Sequence, residues 1–393
     1  MEEAIKFPKD FLWGSATSAY QVEGGIGNND WARVYPAGQA CDHYHLYEND
    51  FDLLKELNQN VYRFSIEWSR IEPEESVFNE KEIEHYRNVL KALKARNIKA
   101  VVTLFHFSLP LWMANLGGFE NQESVFYFSR FAERMLDEYK DLVDFWITIN
   151  EPAIYASVSY IEGRWPPKKK NLLSFLKVIK NQISSHKKIF SLFHQKQKSA
   201  RVGIAQNNAY FEPFNSGSFP DKISSKIFRY LWNQCLLDRI KNQLDFIGLN
   251  YYFHNKIGFP AKIMSGNKVV SDLGWEIFPA GIYHTIIELK KYKLPIYITE
   301  NGVADAKDKL RRDFVKDHLY WTWRAISDGA DVRGYFHWSL IDNFEWEKGF
   351  GPRFGLVEVD YQTMERRVRP SGYYYSQVCR NNQLPINNLK STI

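Results

Sequence analysis

The sequence predicts an α/β protein of the (β/α)8 barrel class, and three observations carry that expectation. Eight short apolar runs recur along its 393 residues, helical periodicity lies between them, and polar or aromatic residues follow each run. Most of the runs are nearly continuous rather than alternating, the pattern of parallel strands covered on both faces. Such a barrel typically takes about 250 residues and more with insertions, so 1–393 reads as a single catalytic barrel domain.

The first run is FLWG at 11–14, and Gln21-Val22-Glu23 lies shortly beyond it. Tyr47, Phe51, Leu54 and Leu57 then fall at helical spacing. The second run, VYRFSI at 61–66, leads into Glu67-Trp68. Ile83, Tyr86, Leu90 and Leu93 form the next helical stripe. They follow Asn79-Glu80-Lys81-Glu82, an Asn cap with an acid three residues on. AVVTL at 100–104 leads to His106, and FWITI at 145–149 to Asn150-Glu151-Pro152. RVGIA at 201–205 precedes Gln206-Asn207-Asn208, and FIGL at 246–249 precedes Asn250-Tyr251-Tyr252. IYIT at 296–299 ends on Glu300-Asn301-Gly302, and VRGYF at 332–336 on His337-Trp338. Functional groups of this fold sit at the carboxyl ends of the strands. A purely structural barrel has no reason to collect polar and aromatic residues there eight times.

Composition narrows the partners. The chain is 45% hydrophobic and 25% charged with net charge +5, so no strong electrostatic partner is implied. The basic clusters Lys168-Lys169-Lys170 and Arg366-Arg367-Val368-Arg369 are short and read as solvated surface, without the helix-long stripe that nucleic acid needs. Cys41, Cys235 and Cys379 are odd in number and without metal or redox spacing, which suggests a reducing compartment. The charged start MEEAIKFPKD has no apolar core and does not read as a signal peptide, and no run approaches 18 apolar residues. The expectation is a cytoplasmic protein with no membrane or nucleic-acid partner; oligomeric state is not legible. Aromatic residues make up 16%, with 12 Trp and 23 Tyr. That excess can fill a large core, and it is also what a carbohydrate site uses to stack on sugar faces.

Glu151 follows the fourth run and Glu300 the seventh, three places apart in a ring of eight. In a barrel filled by side chains both carboxylates reach a shared central volume. One such glutamate can merely cap a helix or pair with an arginine. Two at facing strand ends, among Asn, Gln and Trp, fit glycoside hydrolysis, with carboxyl groups about 5 Å apart for double displacement.

Over the same residues the chain resembles glycoside hydrolase family 1, the β-glucosidase and β-galactosidase family. The matching segments include FLWGSATSAYQVEGG, YRFSIEWSRI, TLFHFSLP, TINEP, DFIGLNYY, GWEIFP, PIYITENG and VRGYFHWSLIDNFEWEKGFGPRFGLVEVD, spanning Phe11 to about Tyr374. The resemblance implies a retaining exo-β-glycosidase that needs no cofactor or metal. It implies Glu300 as nucleophile, supported by Arg63 and Tyr252, and Glu151 as acid/base. Asn150 would hold the sugar 2-hydroxyl, and Gln21, His106, Glu345 and Trp346 the other hydroxyls, above Trp338. Asn250 is expected among the supporting residues. An acid at Glu345 argues against a phosphorylated sugar, and a glutamate at 151 against a thioglucoside. β-Glucosides are the expected substrates, with β-galactosides and β-fucosides open. A transglycosidase, or a catalytically weak sugar-binding barrel, would use the same residues.

Two departures from the family stand out. The stretch 209–244 between the fifth and sixth runs is short, as is the segment after Gly302, which predicts reduced loop and helix material there. His106-Phe107-Ser108 stands where the family more often has His-Trp-Asp, which predicts an altered wall.

Overall fold

The computed structural model describes residues 4–260, 262–264 and 269–385. Eight parallel strands close into a barrel in sequence order: β1 (Leu12–Ala16), β2 (Val61–Ser65), β3 (Lys99–Phe105), β4 (Phe145–Asn150), β5 (Val202–Asn207), β6 (Phe246–Asn250), β7 (Ile296–Asn301) and β8 (Val332–Trp338). Each lies within a residue or two of its predicted run. All but a few of their residues are buried, the reason the runs are continuous rather than alternating.

The barrel interior is layered. Every strand contributes to an apolar plug in the barrel: Leu12, Val61, Val101, Phe145, Ile147, Ala205, Phe246, Tyr297 and Phe336. Side chains two residues on share the same face of a strand. Arg63 therefore stands in the interior above Val61, and Thr103 above Val101. The upper layer is polar, and it supports the site.

The outer ring comprises α1 (His43–Glu56), α2 (Glu80–Ala95), α3 (Ser124–Tyr139), α4 (Leu172–Lys196), α5 (Cys235–Ile240), α6 (Ala280–Leu289), α7 (Arg311–Ser327) and α8 (Pro370–Asn381). Phe51 and Leu54 of α1, and Ile83, Tyr86, Leu90 and Leu93 of α2, are buried as their spacing requires. Asn79 caps α2, its Oδ1 accepting from Lys81 N at 3.1 Å and Glu82 N at 3.4 Å. The reciprocal half of the capping box is not made: Asn79 N donates to Ile71 O at 2.8 Å, and Glu82 accepts from the Tyr44 hydroxyl at 3.1 Å.

In the short 209–244 connection α5 is the last six residues of a longer helical stretch, reached through a π-helical turn, Tyr230–Gln234. That stretch begins with the helix Phe219–Arg229. It packs on a small sheet in which Tyr210–Pro213 pairs with His254–Gly258, and that strand with Lys262–Met264. Ala4–Lys6 pairs antiparallel with Gln383–Pro385. The three cysteines form no disulfide. Among the described residues no helix is long and apolar enough to cross a membrane.

Candidate active site

Each site residue leaves its strand where the backbone changes direction. At the end of β4 the chain passes through Glu151 in the left-handed region, φ 44°, before Pro152 opens a short helix at its favoured first position. Phe107 (φ 75°) and Trp346 (φ 50°) line the same cavity in the same strained region. Such conformations cost about 1–3 kcal/mol each for non-glycine residues and persist only where packing imposes them.

At the end of β7 the tight sequence Glu300-Asn301-Gly302 has a separate reason for each residue. Asn301 is held on both sides, donating to Tyr251 O and accepting from the Tyr335 hydroxyl, each at 2.7 Å. Gly302 passes so close to the Trp338 carbonyl that no Cβ fits. Glu300 is thereby turned inward, 4% exposed.

The Arg63 guanidinium, fully buried, organises the floor. It donates to Glu300 Oε1 at 2.6 Å, to Asn150 Oδ1 at 2.7 Å and to Thr103 Oγ1 at 3.1 Å. The Tyr252 hydroxyl donates to the other Glu300 oxygen at 2.9 Å. Glu151 meets no cation; its Oε1 accepts from the amides of Asn250 at 2.8 Å and Asn207 at 3.0 Å. Thr299 Oγ1 orients Asn250 from below at 2.7 Å, and Asn250 also reaches Asn150 Oδ1 at 3.1 Å.

The two carboxyls therefore differ electrically. Burial, reinforced by the negative charge of Glu300, pushes Glu151 up to about 8. Burial raises Glu300 as well, but there Arg63 and the Tyr252 hydroxyl oppose it, so Glu300 is the one equipped to hold charge.

Asn150 is fixed by the two donors on its Oδ1, so its Nδ2 donates to His106 Nε2 at 3.2 Å. Burial and the Arg63 charge hold the His106 pKa well below its ordinary value, leaving a neutral ring. Its Nδ1 has no hydrogen-bond partner among the described residues. The ring lies nearly parallel to Trp338 and Trp346, with centroids 5.9 and 6.1 Å away.

A cavity of about 360 Å³ joins these groups, with Glu151, Glu300, Asn150, His106, Tyr252, Trp338, Glu345 and Trp346 on its wall. Glu345 is pushed up to about 8 by burial and then by the charges of Glu300 and Glu151. Gln21 lies behind it, fully buried. Its Nε2 donates to Asn343 Oδ1 and Phe344 O at 3.0 Å and stands 3.3 Å from Glu345 Oε2.

Sequence reasoning noted Asn207 among the strand ends without assigning it to the site; its position after β5 was the available signal. Trp165, Phe253 and Trp275 also line the cavity. Of these, Trp275 belongs to the GWEIFP segment, while Trp165 and Phe253 carried no signal. In the altered wall, Ser108 Oγ donates to Glu67 Oε2 at 2.8 Å, and Phe107 packs on Trp165 and Trp346.

The chain has well-matched counterparts among known proteins. The profile described as glycosyl hydrolase family 1 matches residues 3–236 and 232–384, and its break falls in the shortened connection. A 1,4-beta-D-glucan glucohydrolase of Thermotoga neapolitana is 34% identical over 440 aligned positions, covering 96% of this chain and 99% of the relative. A beta-glycosidase from Pyrococcus horikoshii superposes with a TM-score of 0.93 at 37% identity, covering 97% of this chain and 96% of that one. The beta-glucosidase from Thermotoga maritima in complex with glucoimidazole gives a TM-score of 0.91 at 32% identity, covering 96% of this chain and 99% of that one.

Proposed function

The chain belongs to glycosyl hydrolase family 1, and from that premise we propose that it hydrolyses unphosphorylated β-glucosides by double displacement, with Glu300 as nucleophile and Glu151 as acid/base. One observation carries the assignment of roles. Two buried carboxyls line one cavity; one is ion-paired to a fully buried guanidinium, and the other is held only by neutral amides.

In the first step a Glu300 oxygen attacks the anomeric carbon while Glu151 gives its proton to the departing glycosidic oxygen. Esterification removes the Glu300 charge that helps hold the Glu151 pKa up, so Glu151 becomes the base that takes a proton from the incoming water. Arg63 and Tyr252 hold Glu300 ionised and aimed. Asn150 has an amide hydrogen beyond the one given to His106, which suits the sugar 2-hydroxyl. His106 Nδ1–H, Glu345 and the indole of Trp346 supply partners for the remaining hydroxyls, with the Trp338 ring beneath the sugar. Gln21 acts through Glu345, and Asn250 and Asn207 through Glu151.

Glu345 supports a neutral sugar. A phosphate there would bring further negative charge close to the ionised Glu300 and oppose it. β-Galactosides and β-fucosides fit the same donors, and aryl glycosides differing only in the sugar rank the three.

The test is a pair of variants assayed on aryl β-glucosides. Glu300→Ala loses turnover on the order of 10⁴-fold or more. Glu151→Ala loses about 10²–10⁴-fold on poor leaving groups and far less on dinitrophenyl glucosides, whose departure needs no proton. Parent-rate hydrolysis by Glu300→Ala would refute the nucleophile assignment.

A further inference from the structure

The helix Phe219–Arg229 is amphipathic in the reverse sense for a helix on a barrel. Its buried residues are polar: Asp221, Ser224 and Ser225. Its outer face carries Phe219, Ile223 and Ile227, continued by Tyr230 and Leu231, all exposed, Phe219 by 73%. At helical spacing these five occupy a stripe roughly 120° wide. Phe214 and Phe259, also exposed, stand at its start, where Asn215 N and Phe259 N donate to the Asp221 carboxylate.

Lys222, Lys226 and Arg229 border one edge of the stripe, and no exposed acid lies between 219 and 231. The same three cations wall a cavity of about 510 Å³ shared with Glu212 and Glu288. Glu212 is engaged by Lys256 and His254, and Glu288 by Asn233, Gln234 and, at 3.7 Å, Arg229. Lys222 and Lys226 form no ion pair among the described residues.

A second element repeats the pattern. Leu172, Leu173 and Leu176 are exposed at the start of α4, beside exposed Lys168 and Lys170. The far end of α4 is anchored by His194 to Asp245, just ahead of β6. Leu172 is therefore at the opposite, site-bearing end of the barrel. The apolar cluster of Phe211, Ile257, Phe228, Trp232 and Phe253 links the helix and its sheet to the cavity, because Phe253 also lines the active-site wall.

We propose that this rim docks onto an anionic phospholipid bilayer. The apolar stripe enters the boundary between headgroups and acyl chains, while Lys222, Lys226 and Arg229 meet lipid phosphates. A second copy of the chain is a poorer occupant, since an isologous contact sets the same cations against one another with no exposed acid in the stripe. Docking goes beyond the proposed reaction and brings the mouth of the cavity to a surface where glycosides with apolar aglycones reside.

The full chain is floated with vesicles of phosphatidylglycerol and phosphatidylcholine, and with phosphatidylcholine alone. It binds the anionic vesicles, largely ignores the neutral ones and is released at high ionic strength. At about fivefold per cation, Lys222→Ala with Lys226→Ala weakens partitioning roughly 25-fold. Ile223→Ser with Ile227→Ser also releases the protein, while turnover of a soluble aryl β-glucoside stays at the parent level in every variant and reports an intact fold. Three outcomes overturn the proposal: no binding to anionic vesicles, or equal binding to neutral ones; a dimer that the serine variants dissociate; or displacement by millimolar inorganic phosphate, which would assign the cations to free phosphate. Because binding is read without turnover, its failure is separate from any failure of the catalytic assignment.

Discussion

Glu151 keeps its proton because the two amides that touch it offer hydrogen bonds and no charge, and because Glu300 lies close by. With its pKa at about 8, kcat/KM for a poor leaving group falls as pH rises through that value, since the acid is then deprotonated. In Glu300→Gln one of the two forces raising it disappears, so the Glu151 carboxyl titrates at lower pH, measurable by carbon-13 NMR of labelled glutamate; an unmoved titration would deny the coupling. Arg63→Met tests the other side. It leaves Glu300 buried without its cation, a change that costs about 3–5 kcal/mol where buried pairs are broken. Denaturant unfolding reads that loss, and restored stability in Arg63→Met with Glu300→Gln would show that the unpaired charge caused it. These residue types and their strand-end positions were legible in the sequence. The shared use of Asn250 by Asn150 and Glu151 was not, because it joins strands about a hundred residues apart.

At the scale of elements, strands were read from continuous apolar runs and helices from 3.6-residue spacing, and both arise from which faces meet the core. The Asn79 cap is local and was visible. Asn79→Ala leaves the amides of Lys81 and Glu82 without their acceptor and costs about 1 kcal/mol. Urea unfolding with an unchanged slope checks this. The carbonyl of Trp338 against Gly302 was invisible, because β7 and β8 meet only after the barrel closes. Gly302→Ala must displace that backbone, so it lowers kcat for aryl β-glucosides as well as Tm; a variant with parent kcat would mean that the turn yields without moving Glu300. The fate of Glu82 makes the same point: Asn79 N–H goes to the Ile71 carbonyl, and Glu82 turns to the Tyr44 hydroxyl.

For the whole molecule, closure is what makes the site affordable. The plug beneath it joins one ring of side chains from all eight strands, with Phe145, Phe246 and Tyr297 centroids 5.1–5.6 Å apart. Phe246→Ala opens a cavity there and costs about 3–5 kcal/mol, measured by chemical unfolding. Buried acids also set the pH response of stability. Glu151 and Glu345 titrate at about 8 in the fold, against an ordinary value of 4.5. The stability linked to their neutral forms is complete below about 4.5 and is lost as pH rises through about 8. Tm therefore falls as pH rises from about 4.5 to about 8, and Glu345→Gln flattens that fall; an identical decline in the variant would remove Glu345 from the explanation.

By itself the sequence determined the barrel and the order of its strands and singled out Glu151 and Glu300 as the candidate pair, because burial on both faces and strand-end placement leave marks within a few neighbouring residues. The family resemblance implied the two roles, and the tertiary structure supplied their physical basis, since Arg63 of β2 crosses the interior to Glu300 of β7 while Glu151 receives amides from β5 and β6. Only the tertiary structure decided which way the helix Phe219–Arg229 turns its apolar stripe. Periodicity records that a helix has two faces, and only the packing of its neighbours selects the one that meets water.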